Sequence, residues 1–132
     1  QDEAQQLCSQ PYRAPELFDV ASDTEINETL DVWSLGCVLF AITYGMGYSP
    51  FEIQWVNGEP SPCDVSMSAV INTIRIPQSI SSKYSTELRN LVEWMLTVDV
   101  KHRPKLPAVI DMVDDKWPDL LYGGENGENI AV

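Results

Sequence analysis

Two side chains far apart in this sequence have chemistry that would let them pair. Glu16 ends the string Tyr-Arg-Ala-Pro-Glu at residues 12–16, and Arg103 lies between His102 and Pro104. A planar guanidinium can donate two parallel hydrogen bonds to one carboxylate, and it tolerates partial burial better than a lysine ammonium does. We therefore predict that Glu16 and Arg103 pair and tie a loop to a distant helix junction. Taken singly, each would be read as an ordinary surface charge.

A third string, Asp-Val-Trp-Ser-Leu-Gly-Cys at residues 31–37, lies between these two. In this order and spacing the three strings resemble the C-terminal half of a protein-kinase domain. The string at residues 12–16 resembles the end of an activation segment, and the string at residues 31–37 resembles the start of the central buried helix. Arg103 resembles the partner of the glutamate. The resemblance implies structural roles for Ala14, Pro15, Glu16, Asp31, Trp33, Gly36 and Arg103.

The residues just before the first string are similar to the substrate-binding loop of serine/threonine kinases. The resemblance implies that Ser9 and Tyr12 shape the pocket for the substrate residue that follows the phosphate acceptor. Ser9 stands where the family usually carries threonine and keeps the hydroxyl. From the residues alone, a serine before Gln-Pro is simply a turn residue. Asp31 likewise has two interpretations: it stabilises the helix dipole, or, by resemblance, it accepts hydrogen bonds from the backbone of the catalytic loop.

Further strings narrow the resemblance to the Numb-associated kinase family and its myristoylated and palmitoylated branch. They are Ile-Pro-Gln at residues 76–78 and Met-Leu-Thr-Val-Asp at residues 95–99, together with the longer runs at 12–18 and 31–41. The resemblance covers about residues 5 to 115. It implies a cytoplasmic protein that reaches membranes through acylation of the N-terminus of its parent, since this chain carries no anchor of its own.

Several strings that kinases use for catalysis do not occur in these 132 residues. We find no Gly-rich loop, no Val-Ala-Ile-Lys-like strand, no His-Arg-Asp and no Asp-Phe-Gly. We therefore expect no catalytic residues, no metal site and no bound cofactor in this chain, with ATP and Mg²⁺ belonging to an intact parent. The start at Gln1, without an initiator Met, leads us to expect a fragment.

The spacing of apolar residues predicts mostly helices. Residues Leu30–Tyr44 are apolar on every side, which is typical of a buried helix, with Thr29 as its N-cap. Three amphipathic helices follow: one on Met67, Val70, Ile71 and Ile74; one on Leu88, Leu91, Val92, Met95 and Leu96, capped by Ser85; and one on Val109, Ile110 and Val113. The Gly- and Pro-rich stretch Glu52–Cys63 predicts a loop.

The expected fold is therefore mainly α. The resemblance makes it the helical C-terminal lobe of a protein-kinase-like fold, without the N-terminal lobe and the catalytic loop. Residues 1–115 form the partial kinase domain, and residues 116–132 form a flexible acidic tail. Because the apolar helix needs cover on every side, we also expect exposed apolar surface that a protein partner covers.

Composition excludes several kinds of partner and site. Eight basic against twenty acidic residues give a net charge of −12, which argues against nucleic acid or anionic lipid as a direct ligand. No segment is long and apolar enough for membrane insertion. Three cysteines without Cys-x-x-Cys spacing indicate reduced thiols, and His102, between Lys101 and Arg103, is a poor general base.

Two functions from different classes remain open on this sequence. The first is part of a serine/threonine kinase that transfers the γ-phosphate of ATP to a protein substrate, with the enzyme activity residing in the parent. The alternative is a non-catalytic helical interaction module or pseudokinase remnant. Sequence upstream of these residues would decide between them.

Overall fold

A computed structural model describes residues 10–18, 26–65, 70 and 74–119. Within these ranges the chain is mainly helical. Two short 3-10 turns come first, at Gln10–Tyr12 and Pro15–Leu17. They are followed by helix α1 (Thr29–Thr43), strands β1 (Ile53–Val56) and β2 (Glu59–Pro62), and helices α2 (Gln78–Ser81), α3 (Thr86–Met95) and α4 (Leu106–Lys116).

Helix α1 agrees with the predicted apolar helix to within one residue at each end, but its cap differs from the prediction. Thr29 is the first helical residue and not the N-cap. Asn27 supplies the acceptor instead, because its Oδ1 accepts hydrogen bonds from the Thr29 N–H (2.9 Å) and the Thr29 hydroxyl (2.6 Å). The helix ends where the Gly45 N–H donates to the Phe40 carbonyl. A Cβ at Gly45 would collide with the Tyr48 carbonyl, so only glycine fits there.

The core lies along one side of α1 and against α3. Its larger cluster is built on aromatic and aliphatic side chains of α1 together with Phe51 and residues of α3. A Cβ placed on Gly36 would lie 3.0 Å from both Leu96 Cδ2 and Met95 Cβ. Gly36 therefore lets α1 and α3 approach closely. The larger cluster contains Ala14, Trp33, Cys37, Phe40, Tyr44, Phe51, Val70, Val92 and Leu96, and a smaller one contains Val32, Leu91, Met95 and Val109.

The prediction of a loop at Glu52–Cys63 is wrong, because most of this stretch forms a β-hairpin. Strands β1 and β2 pair antiparallel around a two-residue turn, Asn57–Gly58, in which both residues have positive φ (53° and 79°). An Asn-Gly turn of this kind matches the twist of paired strands, and it is a strong hairpin signal that the nearby prolines obscured. Trp55 holds the hairpin to the rest of the chain, since its Nε1–H donates to the Arg75 carbonyl at 2.7 Å.

The remaining helices follow their predictions in part. Ser85 caps α3, with its Oγ accepting the Leu88 N–H at 3.2 Å, and all five apolar residues predicted for that helix are buried. In α4, Val109 is buried but Ile110 is 48% exposed. Of the first amphipathic helix, Met67 and Ile71 lie outside the described residues. So does the predicted tail from residue 120 onward.

Candidate functional site

The predicted pairing of Glu16 with Arg103 is present in the structure. Arg103 Nη1 donates to Glu16 Oε1 at 2.6 Å, and Nη2 donates to Glu16 Oε2 at 3.0 Å. Both side chains are almost completely buried, with 0% and 5% of their surfaces exposed. The pair joins the second 3-10 turn to the loop between α3 and α4. We call Glu16, Arg103 and the ring of Trp33 beneath the Arg103 guanidinium the anchor.

Backbone carbonyl groups complete the surroundings of the Arg103 guanidinium. Its Nε–H donates to the Thr97 carbonyl at 2.8 Å, Nη2 also donates to the Val98 carbonyl at 3.2 Å, and Nη1 also donates to the Thr29 carbonyl at 3.4 Å. A guanidinium has five N–H groups, and here each has an acceptor. A buried charge is tolerated when it is paired and its other donors are satisfied.

Trp33 forms the floor of the anchor. The centre of the Arg103 guanidinium lies 4.9 Å from the Trp33 ring centroid, a cation–π contact. On its hairpin side Trp33 stacks on Phe51, with centroids 5.2 Å apart and ring planes 12° apart. The indole Nε1 is buried and has no acceptor among the described residues. Trp33 thus contacts Arg103 and Phe51 through its ring faces.

The first strings of the sequence pack directly on α1. Ala14 and Pro15 are buried beside Glu16, and the Ser34 hydroxyl of α1 donates to the Tyr12 carbonyl at 2.9 Å. Burial, together with the nearby Glu52 carboxylate, raises the pKa of Tyr12 above its ordinary value. Its hydroxyl is therefore neutral at physiological pH. Ser9, to which the resemblance gives a role in the same substrate pocket as Tyr12, lies outside the described residues.

Asp31 lies apart from the anchor, at the N-terminal end of an uncovered face of α1. It is exposed, and no described residue donates a hydrogen bond to its carboxylate. Leu35, Val38 and Ile42 follow it at helical spacing and are 46%, 41% and 74% exposed. We call these four residues the exposed stripe. The predicted exposure of apolar surface is thus found on the helix that was expected to be buried all round.

The thiols and the metal-binding side chains suggest no further chemistry in the described part of the chain. Cys37 is buried and free, and burial raises the pKa of its thiol, so it is a poor nucleophile. Cys63 is free and exposed. No group of three or more His, Cys, Asp or Glu side chains comes together there in a way that could hold a metal ion. The helices within those ranges are too short or too polar to cross a bilayer.

The groups that hold Arg103 in place, other than Glu16, were not predicted from the sequence. Three of them are the backbone carbonyls of Thr97, Val98 and Thr29. They could not have been predicted, because every residue has a backbone carbonyl and its side-chain type does not show which one accepts a hydrogen bond. Asp99 could have been noticed, since an Asp four residues before the Arg is a common turn residue. Its carboxylate accepts the Lys101 N–H at 3.0 Å and lies 2.7 Å from His102 Nδ1.

Comparisons with known proteins agree with this geometry. The sequence matches the protein kinase domain family over residues 1–117. It is 42% identical over 118 residues to serine/threonine-protein kinase 16 of mouse and of human, covering 89% of this chain and 36% of each relative. It is 32% identical over 114 residues to serine/threonine-protein kinase ppk13 of Schizosaccharomyces pombe, covering 86% of this chain and 31% of that protein. The chain thus spans about a third of the length of these relatives.

Proposed function

The chain belongs to the protein kinase domain family, and on that premise we propose that it is part of the helical C-terminal lobe of a serine/threonine kinase. The parent protein transfers the γ-phosphoryl group of ATP to a serine or threonine hydroxyl of a protein substrate. The assignment to the Numb-associated kinases and their myristoylated and palmitoylated branch is part of the same proposal.

The observation that carries this proposal is the buried anchor. A fully satisfied guanidinium that grips a carboxylate from a distant segment holds that segment in one position on the helical core. Phosphoryl transfer depends almost entirely on positioning and electrostatic stabilisation. We propose that residues 10–18 are the end of the activation segment, that Tyr12 and Ser9 shape the substrate pocket, and that Ala14, Pro15 and Gly36 keep this segment and the helices in place.

The described residues do not fit a Mg·ATP site. Phosphate and Mg²⁺ need a loop of free backbone N–H groups, a lysine and carboxylates close together. No cluster of potential metal ligands occurs among the described residues. The proposal therefore places ATP, Mg²⁺ and the catalytic residues in other parts of the parent.

The exposed stripe favours a kinase lobe over a self-sufficient interaction module. Three large aliphatic side chains on one face of the central helix are left in contact with solvent, and a contiguous apolar patch of this kind usually marks a contact surface. In our proposal the segment of the parent that carries the catalytic loop covers the stripe, and Asp31 accepts hydrogen bonds from its backbone.

The domain limits, location and partners complete the proposal. The kinase segment ends near residue 115 and is followed by an acidic tail over residues 116–132. The parent is cytoplasmic and reaches membranes through acylation of its own N-terminus. Its partners are protein substrates, and neither nucleic acid nor direct membrane insertion is involved.

A phosphotransfer assay on the full-length protein tests the proposal. We expect it to label Ser/Thr peptides from Mg·ATP, and we expect the 132-residue chain to show no saturable Mg·ATP binding in a calorimeter. Glu16→Gln should lower kcat/KM by up to about a hundredfold, because the activation segment is displaced. Glu87→Gln, an exposed change of the same kind on α3, is the control. A full-length protein without phosphotransfer would favour the interaction module, and ATP binding by the chain alone would contradict our placement of the nucleotide.

A further inference from the structure

Most of the contacts of the Arg103 guanidinium do not depend on Glu16. Of its five acceptors, three are the backbone carbonyls of Thr97, Val98 and Thr29. Two of these belong to the α3–α4 loop, which also carries Arg103, and the third belongs to the start of α1. We call these three carbonyls the cradle. The cradle can hold the guanidinium in place before a carboxylate arrives.

Asp99 organises the loop from which Arg103 projects. Its carbonyl accepts the N–H groups of His102 and Arg103, each at 3.0 Å. Its Oδ1 accepts the Lys101 N–H at 3.0 Å, and its Oδ2 lies 2.7 Å from His102 Nδ1. One residue thus closes the turn through both its main chain and its side chain. That turn sets the direction in which the Arg103 side chain leaves the loop.

Of the two side-chain contacts of Asp99, the one to the backbone matters more. The His102 and Asp99 side chains are 78% and 54% exposed, and ion pairs this exposed contribute little. The Lys101 N–H bond restrains the main chain itself. The pKa of Asp99 is lowered first by this backbone hydrogen bond and then by His102, which supports the same ranking.

We propose that Asp99 is a positioning residue that holds Arg103 in a preformed cradle, onto which the Glu16 segment docks. This rests on the proposed function only in treating residues 10–18 as the end of an activation segment. The cradle belongs to the fixed helical body, and the Glu16 segment is the part that moves. Docking then fixes only the Glu16 carboxylate, and the conformation of the Arg103 side chain does not change.

The first test is a double-mutant cycle between Glu16 and Arg103 in the full-length protein, measured by denaturant unfolding in the wild type and in four variant backgrounds. Asp99→Ala should lose most of the Glu16–Arg103 coupling. Asp99→Asn should keep it, because the amide oxygen still accepts the Lys101 N–H, and His102→Ala should also keep it. Asp111→Ala, which removes an exposed carboxylate of α4, is the charge-matched control. Full coupling in Asp99→Ala, or equal loss in Asp99→Asn, would overturn the proposal.

A second measurement does not require the Asp99→Ala variant to fold. In Glu16→Gln, a preformed cradle should keep the Arg103 Nε–H as protected from hydrogen exchange as in the wild type. The Arg89 Nε–H, which donates to Glu93 Oε1 at 3.1 Å in a partly exposed pair on α3, is the internal reference. Exchange at Arg103 as fast as at Arg89 would show that Glu16 itself orders the arginine. Both measurements remain interpretable if the full-length protein proves to lack phosphotransfer activity.

Discussion

The two faces of helix α1 are equally apolar in sequence and differ completely in their surroundings. On one face Trp33 and Phe40 are 0% and 1% exposed. They belong to the core cluster that also contains Phe51, just before the hairpin, and Val92 of α3. On the other face Leu35 and Ile42 are 46% and 74% exposed. The same 15-residue helix is therefore half core and half open surface.

This difference means that only one face of the helix is stabilised by neighbours within the described residues. Burial of apolar side chains stabilises by about 25 cal/mol per Å², and one face receives this from the chain's own helices. The other face receives it only when something else covers it. Our proposal assigns the cover of the exposed stripe to another segment of the parent protein, and the predictions below test that assignment.

Removing Arg103, which packs on Trp33 of the covered face, should produce the largest loss of stability. Arg103→Ala leaves the Glu16 carboxylate buried without its partner, and we expect a loss of about 3–5 kcal/mol in the free energy of unfolding of the full-length protein. Arg89→Ala breaks the partly exposed pair with Glu93 and should cost less than about 1 kcal/mol. Denaturant unfolding measures both changes.

A Glu16–Arg103 double-mutant cycle should show coupling of roughly 1–3 kcal/mol, and additivity would mean that the two residues do not interact.

Substitutions in the exposed stripe should lower the free energy of unfolding only when the segment that covers the stripe is present. In the full-length protein we expect Ile42→Ala to cost about 2–5 kcal/mol, as for a core isoleucine. In the 132-residue chain, Ile42 already contacts solvent. That chain should therefore bind hydrophobic dyes, and Ile42→Ser should reduce the binding. If Ile42→Ala leaves the stability of the full-length protein unchanged, the stripe has no intramolecular cover.

Gly36 provides a finer test of the covered face. Gly36→Ala improves helix propensity by up to about 1 kcal/mol, but it drives a methyl group against Leu96 and Met95. We expect a net destabilisation of about 1–3 kcal/mol, typical of overpacking. Trimming the neighbour should relieve the clash, so Leu96→Ala should cost less in the Gly36→Ala background than in the wild type. Additive costs in thermal or denaturant unfolding would rule out this contact.

The smallest expected effect concerns pH. The pKa of Asp99 is lowered in the folded state, first by the Lys101 N–H and then by His102. A lowered folded-state pKa stabilises the fold above the unfolded pKa of roughly 4, and this contribution is lost as the pH falls through the folded value. The stability difference between wild type and Asp99→Asn should therefore shrink between neutral and strongly acidic pH. A difference that stays constant across that range would mean that the carboxylate charge plays no part.

Local pattern allowed several features to be predicted from the sequence. The apolar run that became α1, the Ser85 cap and the apolar residues of α3 depend on neighbours a few positions away, and these are visible in a single sequence. The Glu16–Arg103 pair was predictable for another reason, because two complementary groups stood in strings of recognisable order. The hairpin was also encoded, in Asn57–Gly58, but its prolines indicated a loop.

The tertiary structure alone decided which side of α1 is covered and what surrounds Arg103. An all-round apolar helix carries no periodic signal that separates Trp33 from Ile42, so only the placement of α3 and the hairpin distinguishes them. The carbonyl groups of Thr97, Val98 and Thr29 are the same in every amino acid. Their convergence on one guanidinium depends on how the loops fold back on α1, which no residue type in the sequence records.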